Sequence, residues 1–151
     1  MTVRALTWLA LSAALSGCGP KGPILPNDAL DHAIATSIGD PNTCVLIAQR
    51  ATRRVIYQYG VDFNCTRALP ACDRAGALTA RKALALADVD RPRRASCPTT
   101  ADGSRTVGWA EGRIAGDKRD LIYSAAMEGQ RALPGHEMAL RLSDAFTTAG
   151  L

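Results

Sequence analysis

Four cysteines, Cys44, Cys65, Cys72 and Cys97, are spread through the interior of this 151-residue chain, and a fifth, Cys18, stands apart near its start. What the four do decides how the chain can fold. In an oxidising compartment an even set reads as two disulfides stapling a small domain; in a reducing one the same residues would be thiols or metal ligands. The spacing speaks against metal, because no two cysteines stand at C-x-x-C separation and His32 and His136 sit away from all of them. No metal or other cofactor is expected. His136, near the start of a predicted C-terminal helix, reads as a solvent-facing side chain.

The compartment is announced by the first residues. Residues 1–17 have the three-part layout of a secretory signal: Arg4 near the start, an apolar stretch from Ala5 to Leu15, and small residues before a cut. The stretch falls short of the roughly 20 apolar residues that span a bilayer. It ends in Leu15-Ser16-Gly17-Cys18, which resembles the lipobox of bacterial lipoproteins. The resemblance implies that the Cys18 thiol receives a diacylglyceryl group, that cleavage makes Cys18 the first residue, and that its new amino terminus is acylated, palmitate being an expected chain. Each buried methylene contributes about 0.8 kcal/mol, so several chains hold firmly where one is marginal. Gly19 follows the cysteine where lipoproteins kept at the inner membrane usually carry aspartate. The resemblance therefore implies the outer membrane, with the folded part on its periplasmic face and membrane lipid as the first partner.

Behind an export signal the four remaining cysteines are expected as two disulfides. Three connectivities are open to them. The short polar loop "CTRALPAC" favours Cys65 with Cys72, leaving Cys44 with Cys97. Loss of residues 1–17 takes away one arginine and no acid, so the formal charge falls from +4 to +3. A mild positive balance with 5% aromatic residues offers neither a stacking platform nor a basic stripe, and no nucleic acid is expected as a partner. The surplus suits a solvated surface near anionic lipid or polymer.

Residues 18–27, "CGPKGPILPN", are rich in proline and glycine and suit an extended tether. Residues 28–151 are long enough for one core. A helix is expected from Asn27 or Asp28 to about Ile38, with Leu30, Ala33, Ile34 and Ile38 on one face and Gly39 to Asn42 ending it. "CVLIAQRATRRVIYQYG" reads as a hairpin turning near Arg50 to Arg53. The alanine- and leucine-rich run from Arg74 to Asp88 predicts a second helix. "DVDRPRRASCPTTADGS" then reads as a basic loop in which Arg91, Arg93 and Arg94 could hold a phosphate or carboxylate, although a solvated charged loop is the commoner use of such a run. Asp88 and Asp90 are explained by a polar helix end. "SRTVGWAEGRI" and "RDLIYSAAMEG" predict a second hairpin, with Gly108, Ala110 and Gly112 on a face that another backbone can approach closely. Pro134 opens a last helix with a stripe of Met138, Leu142, Ala145, Phe146 and Ala149, closed by Gly150. The sum is an α+β fold: an antiparallel sheet of two hairpins packed by N-terminal, middle and C-terminal helices.

That order of elements, carried by "CVLIAQRATRRVIYQYG", "TARKALALAD" and "TVGWAEGRI" through "LPGHEMALRLSDAFTTAGL", resembles a reduced α/β half of the penicillin-recognising serine enzymes, class D β-lactamases especially. The family implies a serine with a lysine three residues on, so that the amine can take the hydroxyl proton across one helical turn. Here Thr79 and Lys82 stand at that spacing. The lysine-threonine-glycine strand that binds the substrate carboxylate is matched by Arg105 and Thr106, with Val107 at the glycine position. The family's helical domain has no room between Lys82 and Ser104. No G-x-S-x-G elbow, phosphate loop or H-E-x-x-H appears.

Three functions compete on these residues. The first is a non-catalytic lipoprotein module that binds an envelope protein or a peptidoglycan component. The second is a small acyl hydrolase with Thr79 as nucleophile, Lys82 as base, and Arg105 and Thr106 on the substrate. The third is a structural subunit of an envelope complex. The first is favoured, because Thr79 and Lys82 read more simply as two polar residues on the outer face of an alanine-rich helix, and nucleophilic catalysis needs base, oxyanion donors and pocket together.

Overall fold

The computed structural model describes residues 24–151. Residues 1–17, Cys18 and the start of the tether lie outside the described residues. The elements run α1 (Asn27–Ile38), β1 (Thr43–Gln49), β2 (Val55–Tyr59), α2 (Asp62–Thr66), β3 (Leu69–Pro70), β4 (Ala77–Leu78), α3 (Ala80–Leu86), β5 (Arg94–Pro98), β6 (Thr106–Arg113), β7 (Leu121–Gly129) and α4 (Gly135–Thr148). The fold is α+β. Five antiparallel strands form one sheet in the order β2-β1-β7-β6-β5, and β3 pairs with β4 beside it.

The two expected hairpins meet through β1 and β7, whose register runs from Thr43 opposite Met127 to Gln49 opposite Leu121. Alternate side chains therefore serve two cores. Val45, Ile47, Leu121, Tyr123, Ala125 and Met127 face α1 and α4, meeting Leu30, Ile34, Met138, Leu142 and Phe146. Cys44, Leu46, Ile122, Ala126, Val107 and Trp109 face the opposite way, under Leu78, Ala83 and Leu84. Helices cover both faces, so the central strands are buried almost throughout and show no polar alternation.

The small-residue face of β6 does what its pattern predicts. A Cβ added to Gly108 would lie 2.0 Å from the carbonyl oxygen of Leu133, and one added to Gly135 would lie 2.2 Å from that of Trp109. The segment leading into α4 thus crosses β6 at backbone distance, and the Gly135 N–H donates to Ser96 Oγ at 2.8 Å.

Three expectations are corrected. The helix expected from Arg74 to Asp88 is confined to Ala80–Leu86, because Gly76 turns the chain at φ +95° and Ala77 and Leu78 pair with β3 instead. The loop expected around Arg91 to Ser104 contains β5, an edge strand pairing residue for residue from Arg94 opposite Ala110 to Pro98 opposite Thr106. The disulfides are Cys44–Cys65 and Cys72–Cys97, with Cα separations of 5.2 and 5.4 Å, not the pairs the short loop favoured. Strand order gives the reason. Cys44 lies on β1 and Cys97 on β5, three strands apart and so separated by roughly 14 Å, twice what a bridge can span. "CTRALPAC" does not close on itself; it carries the chain across the sheet, from α2 over β1 to a position against β5.

Candidate functional site

The residues singled out for catalysis are placed by ordinary local forces. Thr79 precedes the first turn of α3, and its Oγ accepts the backbone N–H of Lys82 at 3.1 Å, the bond expected of a threonine N-cap. Thr79 and Lys82 are joined through that backbone bond, while the Lys82 side chain is exposed. Arg105 does not reach toward them. Its guanidinium forks onto Glu128, Nε to Oε1 at 2.8 Å and Nη2 to Oε2 at 2.7 Å. Thr106 opens β6 between Pro98 and Gly129, and Val107 is buried in the core under α3.

Glu128 belongs to a network the sequence reading missed. It also accepts from Thr99 Oγ at 2.9 Å and lies 3.2 Å from the guanidinium of Arg67. The hydrogen bonds from Arg105, against the opposing effect of burial, hold its carboxyl below the ordinary glutamate value. Glu111, on β6 four register positions along from the Val107–Glu128 pair, is pushed the other way. Burial raises its carboxyl above the ordinary value and Arg93 offsets this only in part. Arg93 Nε lies 2.7 Å from Glu111 Oε1, yet the N–H is not aligned on that oxygen and neither atom has a hydrogen-bond partner. Arg93 Nη1 donates instead to Asp73 Oδ1 at 2.6 Å. Arg93 is therefore a buried structural cation rather than the loop residue gripping a ligand. Ser124, opposite Glu111 in the register, is fully buried with its hydroxyl unpaired. These acids could have been found by parity: in "LIYSAAMEG" and "TVGWAEGR" the glutamates fall on the same strand face as buried apolar side chains.

Open hollows occur at both ends of the sheet, with Asp40, Arg131 and Arg141 bordering one and Pro41, Tyr59 and Val61 another where β1 begins, while the arginine-rich turns gather at the end where β1 finishes. There the β1–β2 turn, the β6–β7 turn and the approach to β5 lie together: Arg50 N–H donates to the Asp120 carbonyl at 3.0 Å, and Glu111 N–H to that of Arg93 at 2.9 Å. Two clefts open at this end. One of about 300 Å³ lies between the sheet and α4, with Arg94 and Arg113 beside Tyr123, Ser143 and Phe146. Burial drives the Tyr123 hydroxyl up to about 12, so it stays a neutral phenol. The other, of about 280 Å³, lies on the α3 side among Arg74, Arg91, Arg94 and the carboxylates of Asp73 and Asp88. Pro92, Arg94 and Glu111 border both. Among the described residues no group of three or more His, Cys, Asp or Glu converges as a metal site, and no helix is long and apolar enough to cross a membrane. The arrangement can hold anions at exposed guanidinium groups. The Glu111 carboxylate shares the first cleft with the hydroxyls of Tyr123, Ser143 and Thr147, and among the described residues none of them is hydrogen-bonded to it.

No protein-family model, curated protein or solved structure matches this chain.

Proposed function

We propose that the protein is a bacterial lipoprotein: Cys18 is acylated after removal of residues 1–17, and the α+β domain is held on the periplasmic face of the outer membrane, where it binds an envelope component without transforming it. The observation that carries this reading is the partition of the cysteines. All four beyond the lipobox are joined in disulfides, Cys44 with Cys65 and Cys72 with Cys97. The fifth has no partner left, and it stands where a lipobox needs its thiol. Two disulfides in so small a domain accord with an exported protein.

The binding role draws support from the open, charged clefts at the end where the tether joins the fold. The acyl-hydrolase alternative draws none from Thr79, whose oxygen holds the start of α3. Radiolabelled palmitate should enter the full-length protein in growing bacteria, and the intact mass should show Cys18 as an acylated first residue. Label that persists after Cys18→Ser, or an unmodified mature chain, would overturn the reading.

A further inference from the structure

We propose that the arginine-rich end of the domain docks on the anionic lipid headgroups of the membrane that holds Cys18, giving the protein a second, electrostatic anchor. The inference rests on the lipoprotein reading for the position of the membrane, and on the fold for everything else.

The chain enters the fold at this end. The Ile24 carbonyl accepts from Arg119 Nη1 in the β6–β7 turn at 3.1 Å, and Leu25 is already buried in the helical core. Cys18 lies six residues earlier, a reach of at most about 22 Å for a fully extended chain. The end of the domain nearest the tether is therefore kept close to lipid. Register puts the β1–β2 turn there as well, because Gln49 lies opposite Leu121 where β7 begins.

Charge is distributed unevenly along the same axis. Segments 50–54, 88–94 and 113–120, with Asp73, Arg74 and Glu111 of the adjoining cleft, carry ten basic residues against six acidic ones, buried Arg93 being neutralised by Asp73 and Glu111, whereas the rest of the described chain carries six against eight. The tether end is thus cationic on a domain that is otherwise anionic. The acids at this end are largely engaged: Asp120 with Arg50 and Arg113, Asp117 with Arg119, Asp88 with Arg91. Arg53, Arg54, Arg94 and Lys118 are exposed and make no ion pair among the described residues. Leu86 is 54% exposed beside them, at the end of the helix whose Leu84 carbonyl accepts from Arg53, and Ile24 is 86% exposed. Basic side chains that flank exposed aliphatic ones and sit within a tether's length of a bilayer suit an anionic interface: the cations meet phosphate and the apolar tips meet the acyl boundary. The attraction fades beyond the screening length of about 8 to 10 Å, so it operates on a domain already brought close.

The test uses the mature chain, residues 18–151, kept unacylated by Cys18→Ser, and sedimentation with phosphatidylcholine vesicles carrying about one part in three of phosphatidylglycerol. Binding is expected at low salt, with little to pure phosphatidylcholine and a steep loss as salt rises. Removing three cations in Arg53→Ala/Arg54→Ala/Lys118→Ala should weaken it on the order of a hundredfold, about fivefold for each charge. Arg94→Ala/Lys118→Ala, which disturbs no intramolecular hydrogen bond, should weaken it about twentyfold and guards against misfolding of the triple variant. The charge-matched control Lys82→Ala/Arg131→Ala/Arg141→Ala should change it far less. Equal binding to neutral vesicles, an equal loss in the control, or no binding while Cys18 proves acylated in cells would overturn the docking and leave the lipoprotein reading standing. An unmodified Cys18 would remove the anchor, yet selective vesicle binding would still establish the surface.

Discussion

On one face of the sheet, α1 and α4 lay Leu30, Ile34, Met138, Leu142 and Phe146 against Val45, Ile47 and Met127, a continuous apolar layer supplied by helices of 12 and 14 residues. On the other face the cover is α2, α3 and the β3–β4 pair, elements of five, seven, two and two residues. Elements that short cannot hold themselves by helical cooperativity. Both disulfides lie on this second face, one joining α2 to β1 and the other joining the segment after β3 to β5. So do the buried charges Arg93, Glu111 and Glu128, and the unpaired Ser124 hydroxyl. One face is held by buried area, the other by covalent closure over a partly polar layer. The lesson is that a small disulfide-linked domain can carry a thin, charged layer where cross-links replace the missing core.

Reduction of both bridges should have the largest effect. Each closes a loop of more than twenty residues, worth about 3 kcal/mol by the chain-entropy account. Hydrogen exchange after reduction should show α3 and β3–β4 losing protection before α1 and α4, and equal loss on both faces would erase the distinction. Leu142→Ala, at a fully buried position in α4, should cost about 3 kcal/mol by urea unfolding, because it leaves a cavity in the face that relies on area. Gly108→Ala should cost about 2 kcal/mol, since its Cβ would meet the Leu133 carbonyl and push the approach to α4 off the sheet.

A smaller effect separates the two buried glutamates by pH. Glu128 is held below its ordinary value, so its contribution is present above the unfolded value of about 4.3 and is lost as pH falls through the folded value. Glu111 is held above its ordinary value, so its contribution is present below about 4.3 and is lost as pH rises through the folded value. The stability gap between the parent protein and Glu128→Gln should therefore narrow on acidification, while that for Glu111→Gln should move in the parent's favour. Urea midpoints measured across the acid range decide it; parallel trends would show that the two networks are not opposed. Thr79→Ala should have the least effect, roughly 1 kcal/mol for a lost N-cap, restored by Thr79→Ser.

Much of the architecture was legible beforehand. The helix at Asn27–Ile38, both hairpins and the stripe of α4 follow from periodicity and from the proline and glycine residues at their ends. The stapled face was not legible, because its elements are too short to show a period and β5 is an arginine- and proline-bearing edge strand defined only by pairing with β6. The basic end followed the same division. "RATRR", "RPRR" and "DKRD" could be counted, but only strand register brings the three turns together and attaches the tether beside them.

By itself the order of residues determined which segments are amphipathic, that a signal-like run ends at a cysteine in a lipobox-like setting, and that the four remaining cysteines suit an exported chain. These are local matters, settled by spacing along the backbone. The pairing of those cysteines, the burial of Arg93 and the convergence of the basic turns were decided by strand order, which sets which distant residues lie within a few ångströms. Such distances are produced by the packing of the whole sheet, and no short stretch of sequence contains them.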